Sequence, residues 1–118
     1  MPTNAPVTRN QLYAERAYQY VCGVRKEKQE EFKRFAMSFP ALVHGCGLSQ
    51  ALAFAKSKKH DDVLEGVVRI MEEDRGKNVE DLLKMSRTAD LVSYLRLSRN
   101  VLNAAGWLKR YSEAVFEE

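Results

Sequence analysis

Apolar residues in this chain recur at three- and four-residue steps almost from end to end, and no window alternates as a strand would. The spacing predicts an all-α protein, a single compact bundle of about six helices with a long C-terminal helix. Thr8 and Gln11 are spaced as a capping box, so a first helix starts there and carries Tyr13, Ala17, Tyr20, Val21 and Val24. Gly23 and the charged run Arg25 to Glu31 surround the connection to a second helix, whose apolar face is Phe32, Phe35, Ala36, Phe39, Leu42 and Val43. That face continues across Pro40, which predicts a kink or a restart there rather than a long loop. Gly45 and Gly47 bracket the next break, and Leu48, Ala51, Leu52 and Ala55 mark a third helix.

Beyond a basic link from Lys56 to His60, Asp61 is placed to cap a fourth helix holding Val63, Leu64, Val67, Ile70 and Met71. The pattern lapses at 74–78, around Gly76, and Asn78 begins a short fifth helix with Val79, Leu82 and Leu83. Thr88 is the expected cap of the last and longest helix, which runs to about Phe116. Its seam is Tyr94, Leu97, Val101, Ala104, Ala105, Leu108, Tyr111 and Val115. Leu91, Leu95 and Leu102 widen that stripe and make the helix the expected centre of the bundle. Residues 1–7, with Pro2 and Pro6 and no periodicity, read as a flexible N-terminal tail ahead of one domain over 8–118.

At 118 residues the chain suits one modest core and is too short for a two-domain enzyme with a cleft between halves. With 45% hydrophobic and 30% charged residues, 3 Pro and 6 Gly, it is neither disordered nor fibrous. The stretch 35–55 has no charge, yet Pro40, Gly45, Gly47, His44 and Gln50 interrupt it, so it reads as buried helices and not a membrane span. The start lacks the basic and apolar runs of a signal peptide, and the two cysteines, Cys22 and Cys46, lie among apolar residues as small hydrophobes would. A cytoplasmic protein is expected. The net charge of +3 hides an asymmetry: residues 1–60 carry ten Lys/Arg against four acids, and residues 61–118 nine against twelve. Such a split suits a nucleic-acid face or a polar molecule stacking head to tail, and a chain this short can also show it by chance.

Catalytic chemistry finds little to hold. No GxxxxGK[ST] or GxGxxG loop is present, so neither a phosphate-cradling loop nor a cofactor is expected. His60-Asp61-Asp62 contains the pair used by metal-dependent phosphohydrolases, but His44 is the only other histidine and it lies in an apolar segment. His60 is better read as the end of the basic link, Asp61 as a cap, and His44 as satisfying the carbonyls of a helix end. Glu72-Glu73-Asp74 and Glu117-Glu118 are better read as solvated surface than as metal ligands. No metal, no small-molecule substrate and no enzymatic activity are expected. Nucleic-acid binding fits better. Arg96, Arg99, Asn103 and Arg110 fall along one face of the last helix, where guanidinium groups can track phosphates. A merely solvated face is the competing reading of that row. Lys56, Lys58 and Lys59 form a second basic cluster, and Arg25, Lys26 and Lys28 a third. None is interleaved with aromatics, so sequence-specific readout is not indicated.

The most informative string is Tyr94-Leu-Arg-Leu-Ser-Arg-Asn-Val-Leu-Asn-Ala-Ala-Gly-Trp-Leu-Lys-Arg-Tyr-Ser-Glu-Ala114. With Gly47-Leu-Ser-Gln-Ala-Leu-Ala-Phe-Ala55 and Glu15-Arg16-Ala17, it resembles the small subunit of the type III-B CRISPR effector, the Cmr complex. The likeness covers most of the chain in order, and its Trp-Leu-Lys-Arg segment with an upstream Tyr is the most specific part. Relatives often carry a Thr and an acidic residue between the Tyr and the Trp, where this chain has Ser98, Arg99 and Asn100, making the helix more basic.

The resemblance implies an all-helical subunit without catalytic activity. Its copies would stack head to tail as a minor filament beside the backbone subunits and the large subunit, lining the groove where CRISPR guide RNA pairs with target RNA. On this reading the candidate nucleic-acid contacts are Arg16, Lys56, Lys59, Arg96, Arg99 and Arg110. Trp107 and Lys109 are candidates for the subunit interface, although contact with another helix of its own bundle is the favoured reading of Trp107, since aromatics are common in cores. Two other functions compete: a free-standing helical DNA-binding regulator, and a small hydrolase using His60, Asp61 and Asp62.

Overall fold

Among the described residues six helices follow one another as the periodicity predicts: α1 (Arg9–Cys22), α2 (Lys26–Cys46), α3 (Leu48–Ser57), α4 (Asp61–Met71), α5 (Val79–Thr88) and α6 (Leu91–Val115). The structure, a computed structural model, describes residues 7–71 and 78–116, and no strand occurs among them. The expected tail up to residue 6, the break at Gly76, and the acidic groups at 72–74 and 117–118 lie outside the described residues. One apolar cluster draws on every helix, with Tyr13, Phe32, Phe39, Leu52, Leu64 and Leu108 among its fully buried members. α6 packs against α1, α2 and α4 and lightly against α5, and is the central element. Burying such apolar surface is the main source of stability, at about 25 cal/mol per Å² removed from water.

Local chemistry sets most boundaries. The capping box forms: the Gln11 amide donates to Thr8 Oγ1 at 3.0 Å, and the Thr8 amide donates back to Gln11 Oε1 at 2.7 Å. Asn78 caps α5 by accepting the Asp81 amide at 2.8 Å. α2 runs through Pro40 without interruption, because Phe32, Phe35 and Ala36 before it and Phe39 and Val43 beside it bury on one face. Gly45 is helical, so the break falls at Gly47 alone. Its φ of 87° turns the chain from α2 into α3 while its amide still donates to the Val43 carbonyl.

Four further expectations are corrected. Asp90, not Thr88, caps α6, accepting the Ser93 amide at 2.8 Å; Thr88 ends α5 with its hydroxyl turned back onto the Lys84 carbonyl. Asp61 is the first residue of α4, and the helix's first carbonyl acceptor is that of His60. Leu91 and Leu95 are exposed, 70% and 53%, because at this end of α6 it is Tyr94 that packs against the core, and full burial begins at Leu97. Cys22 and Cys46, the last residues of α1 and α2, are exposed free thiols rather than core.

Candidate nucleic-acid interface

The basic row begins as a property of one helix. At about 100° per residue, Arg96, Arg99, Asn103 and Arg110 fall within an arc of roughly 60°, and the three arginines are exposed. None of the three is in an ion pair among the described residues. Tertiary packing then widens the row. Asn103 Nδ2 donates to Asn10 Oδ1 at 3.0 Å, which fixes the start of α1 against the middle of α6. Arg9 thereby joins Arg96 at the rim of a cleft of about 270 Å³, with Asn100 beside them and Val68, Leu82 and Leu97 as its floor. Arg110 borders a second groove with Asn10, Asn103 and Trp107. Asp90 feels this row: its carboxyl is held below the ordinary value mainly by the Ser93 amide, with a smaller contribution from Arg96. Arg9 and Asn10 are the members the sequence did not single out, since only the docking of α1 on α6 brings them there.

The remaining candidates are dispersed. One Arg16 nitrogen donates to the Ile70 carbonyl at 2.8 Å, satisfying an acceptor in the last turn of α4. Lys56 lies 3.5 Å from both Asp61 and Glu80, so two carboxylates already meet its charge and tie α3 to α4 and α5. Lys59 is in the left-handed region, φ 63°, and opens onto a groove of mixed charge where Arg25, Lys28 and Arg69 face Glu31, Asp61 and Asp62.

The motif residues of α6 serve packing as well. Trp107 is half-buried, stacked on Tyr111 at 5.8 Å and 19°, and Tyr111 meets Tyr18 of α1 edge-on at 5.6 Å. Lys109 is half-buried, and its carbonyl accepts the Ser112 hydroxyl. Tyr94 reaches the start of α3, which has no cap of its own: the Ser49 amide donates to the Tyr94 hydroxyl at 3.1 Å. That donation favours the phenolate and lowers the Tyr94 pKa. Ser49 Oγ in turn donates to the Ser86 carbonyl at 2.7 Å, so the Gly-Leu segment and the Tyr-led helix meet at one corner.

His60, Asp61 and Asp62 are each otherwise engaged. The His60 ring stacks on Phe35, Asp61 pairs with Lys56, and Asp62 Oδ1 accepts the Val63 amide. Among the described residues no group of three or more His, Cys, Asp or Glu side chains is arranged to hold a metal ion. Nor is any described helix long and apolar enough to cross a membrane.

The chain is similar to known proteins over nearly its whole length. The family model for the CRISPR-associated protein (Cas_Cmr5) matches residues 9–115. The CRISPR system Cmr subunit Cmr5 of Thermus thermophilus is 37% identical over 115 residues, 94% of this chain and 98% of that protein. The X-ray crystal structure of a CRISPR-associated Cmr5 family protein from the same organism superposes with a TM-score of 0.85 at 36% identity. It covers 94% of this chain and 100% of the other.

Proposed function

The chain belongs to the CRISPR-associated Cmr5 family, and on that premise we propose that it is a non-catalytic structural subunit of a type III-B CRISPR ribonucleoprotein in antiviral defence. Its partners are the other Cmr subunits and further copies of itself, stacked head to tail as a minor filament. Through a basic face it contacts the target RNA, or its duplex with the guide, without regard to sequence. The observation that carries the RNA contact is the exposed row Arg96, Arg99 and Arg110, extended by Arg9 from another helix. Guanidinium groups spaced along a helix meet successive phosphates and read no base. Stacking is supported by the opposed charge of the two halves of the chain. It is also supported by Leu91, Val92 and Leu95, apolar side chains that stay exposed on α6. Membership of an effector-subunit family weighs against a free-standing DNA-binding regulator.

The test is the salt dependence of RNA affinity in the assembled complex. Replacing Arg96, Arg99 and Arg110 together by alanine removes three phosphate contacts, which lowers the slope of log affinity against log salt by about 2. The loss is the same for RNAs of unrelated sequence. An unchanged slope overturns the assignment of this face.

A further inference from the structure

The α2–α3 hairpin carries a second surface, one the chain order conceals. In sequence the cluster Lys56, Lys58 and Lys59 has no aromatic residue within it, only Phe54 and His60 on either side, and folding brings Phe35 of α2 against both of these rings. The His60 ring stacks on Phe35 at 3.9 Å with an interplanar angle of 9°, and Phe54 stacks on the same Phe35 at 6.5 Å and 24°. Lys58 Nζ stands 5.9 Å over the Phe54 ring. Phe35 is buried, whereas Phe54 keeps 43% of its surface exposed. These rings, Lys58 and Arg34 border a groove of about 560 Å³ between α2 and α3. One acid, Glu31, stands at its edge, and Arg34 is paired at 3.3 Å with Glu30, both side chains largely in solvent.

An exposed phenyl ring flanked by cations matches one kind of occupant. A nucleobase stacks on an aromatic face whatever its identity, and the phosphates on either side of it seek ammonium and guanidinium groups. An apolar protein surface seated here would instead desolvate Lys58 and Arg34 without supplying anions. At 5.9 Å the lysine lies near the outer limit of a cation–π contact, so its flexible stem can leave the ring for a phosphate at little cost.

We propose that this groove is a second RNA contact, in which an unpaired base stacks on Phe54 while Lys58 and Arg34 hold the flanking phosphates. The proposal rests on the RNA-contact function given above and concerns a surface separate from the α6 row.

The probe is target RNA carrying 4-thiouridine, photo-crosslinked to the assembled complex and mapped by mass spectrometry. The expected result is a crosslink on the segment 54–60 that falls about fivefold or more in a Phe54→Leu complex, in line with the worth of one stacked base. Lys58→Gln is expected to weaken the same crosslink without abolishing it. Crosslinks confined to α6 overturn this proposal and leave the proposed function standing; crosslinks nowhere on the chain overturn both. A Phe54→Leu subunit that folds but no longer enters the complex identifies the groove as a protein contact, and that outcome also overturns the proposal.

Discussion

Gly66 sits in the middle of α4 on its buried side, and replacing it with alanine sets two effects of opposite sign against each other. Helix propensity alone favours alanine by about 1 kcal/mol. Packing opposes it. A Cβ at this position would stand 2.8 Å from Cε2 and 2.9 Å from Cδ2 of Tyr20, and 3.1 Å from Cδ1 of Leu108. The Tyr20 ring is poorly placed to retreat: its hydroxyl donates at 2.7 Å to the Asp62 carbonyl, on the same helix as Gly66, and the ring has the buried Phe32 and the guanidinium of Arg69 among its neighbours. Forcing a methyl into a filled site costs about 1–3 kcal/mol, so the net expectation is a destabilisation of about 1 kcal/mol. For a chain of this size that lowers Tm by about 4 °C, measured by scanning calorimetry. The decisive comparison is a second background. With Tyr20→Leu in place the ring is gone, propensity is left to act, and Gly66→Ala raises Tm relative to Tyr20→Leu alone. A Gly66→Ala protein that melts higher than wild type with Tyr20 intact refutes the reasoning.

Three tyrosines give further expectations. Tyr94→Phe removes the acceptor of the Ser49 amide, costing about 1 kcal/mol, and hydrogen exchange at Ser49 accelerates while the far end of α6 is unchanged; equal protection in both proteins counts against the cap. Tyr13→Phe goes the other way. The Tyr13 hydroxyl is buried with no hydrogen-bond partner among the described residues, so its removal leaves stability unchanged or raises it by about 1 kcal/mol, and a fall in the urea midpoint contradicts that. Burial, with help from Asp62 and Glu65, pushes the Tyr20 pKa up from 10.0 to about 12. Its contribution is therefore complete below pH 10 and is lost as pH rises toward 12, where the unfolded chain ionises more readily. The stability gap between wild type and Tyr20→Phe in urea melts accordingly narrows between about pH 10 and pH 12, and a constant gap refutes the assignment.

What the sequence made legible follows the range of the interactions. The helices and the Thr8 and Asn78 caps depend on residues three or four apart, so periodicity and cap chemistry suffice to find them. The start of α6 is harder, because Thr88 and Asp90 are both capping residues. Only the direction of each side chain, Thr88 back to Lys84 and Asp90 forward to Ser93, separates the end of one helix from the start of the next. Leu91 and Leu95 continue the apolar stripe on paper, yet burial depends on which helices lie opposite, and spacing does not encode that. The same division runs through the candidate surfaces. Arg96, Arg99 and Arg110 share a face by helical geometry alone. Arg9 and Asn10 reach that face through a contact spanning 93 positions, and Phe35 meets His60 only when α2 and α3 fold against each other.

The corner at Gly47 has a consequence for the order in which the molecule is made. α3 borrows its cap from Tyr94, 45 residues downstream, and the core borrows Leu97, Val101, Ala104 and Leu108 from the same stretch. While the first ninety residues leave the ribosome, α1 to α5 can pack on one another, but the α3 start lacks its partner and the apolar surface that α6 covers on α1, α2 and α4 stays open. Synthesis of the last helix is thus the step that turns a set of nascent helices into a finished protein. A message truncated before Tyr94 yields a chain exposed to proteases throughout its life, which limits incorporation into larger assemblies to subunits translated to the end.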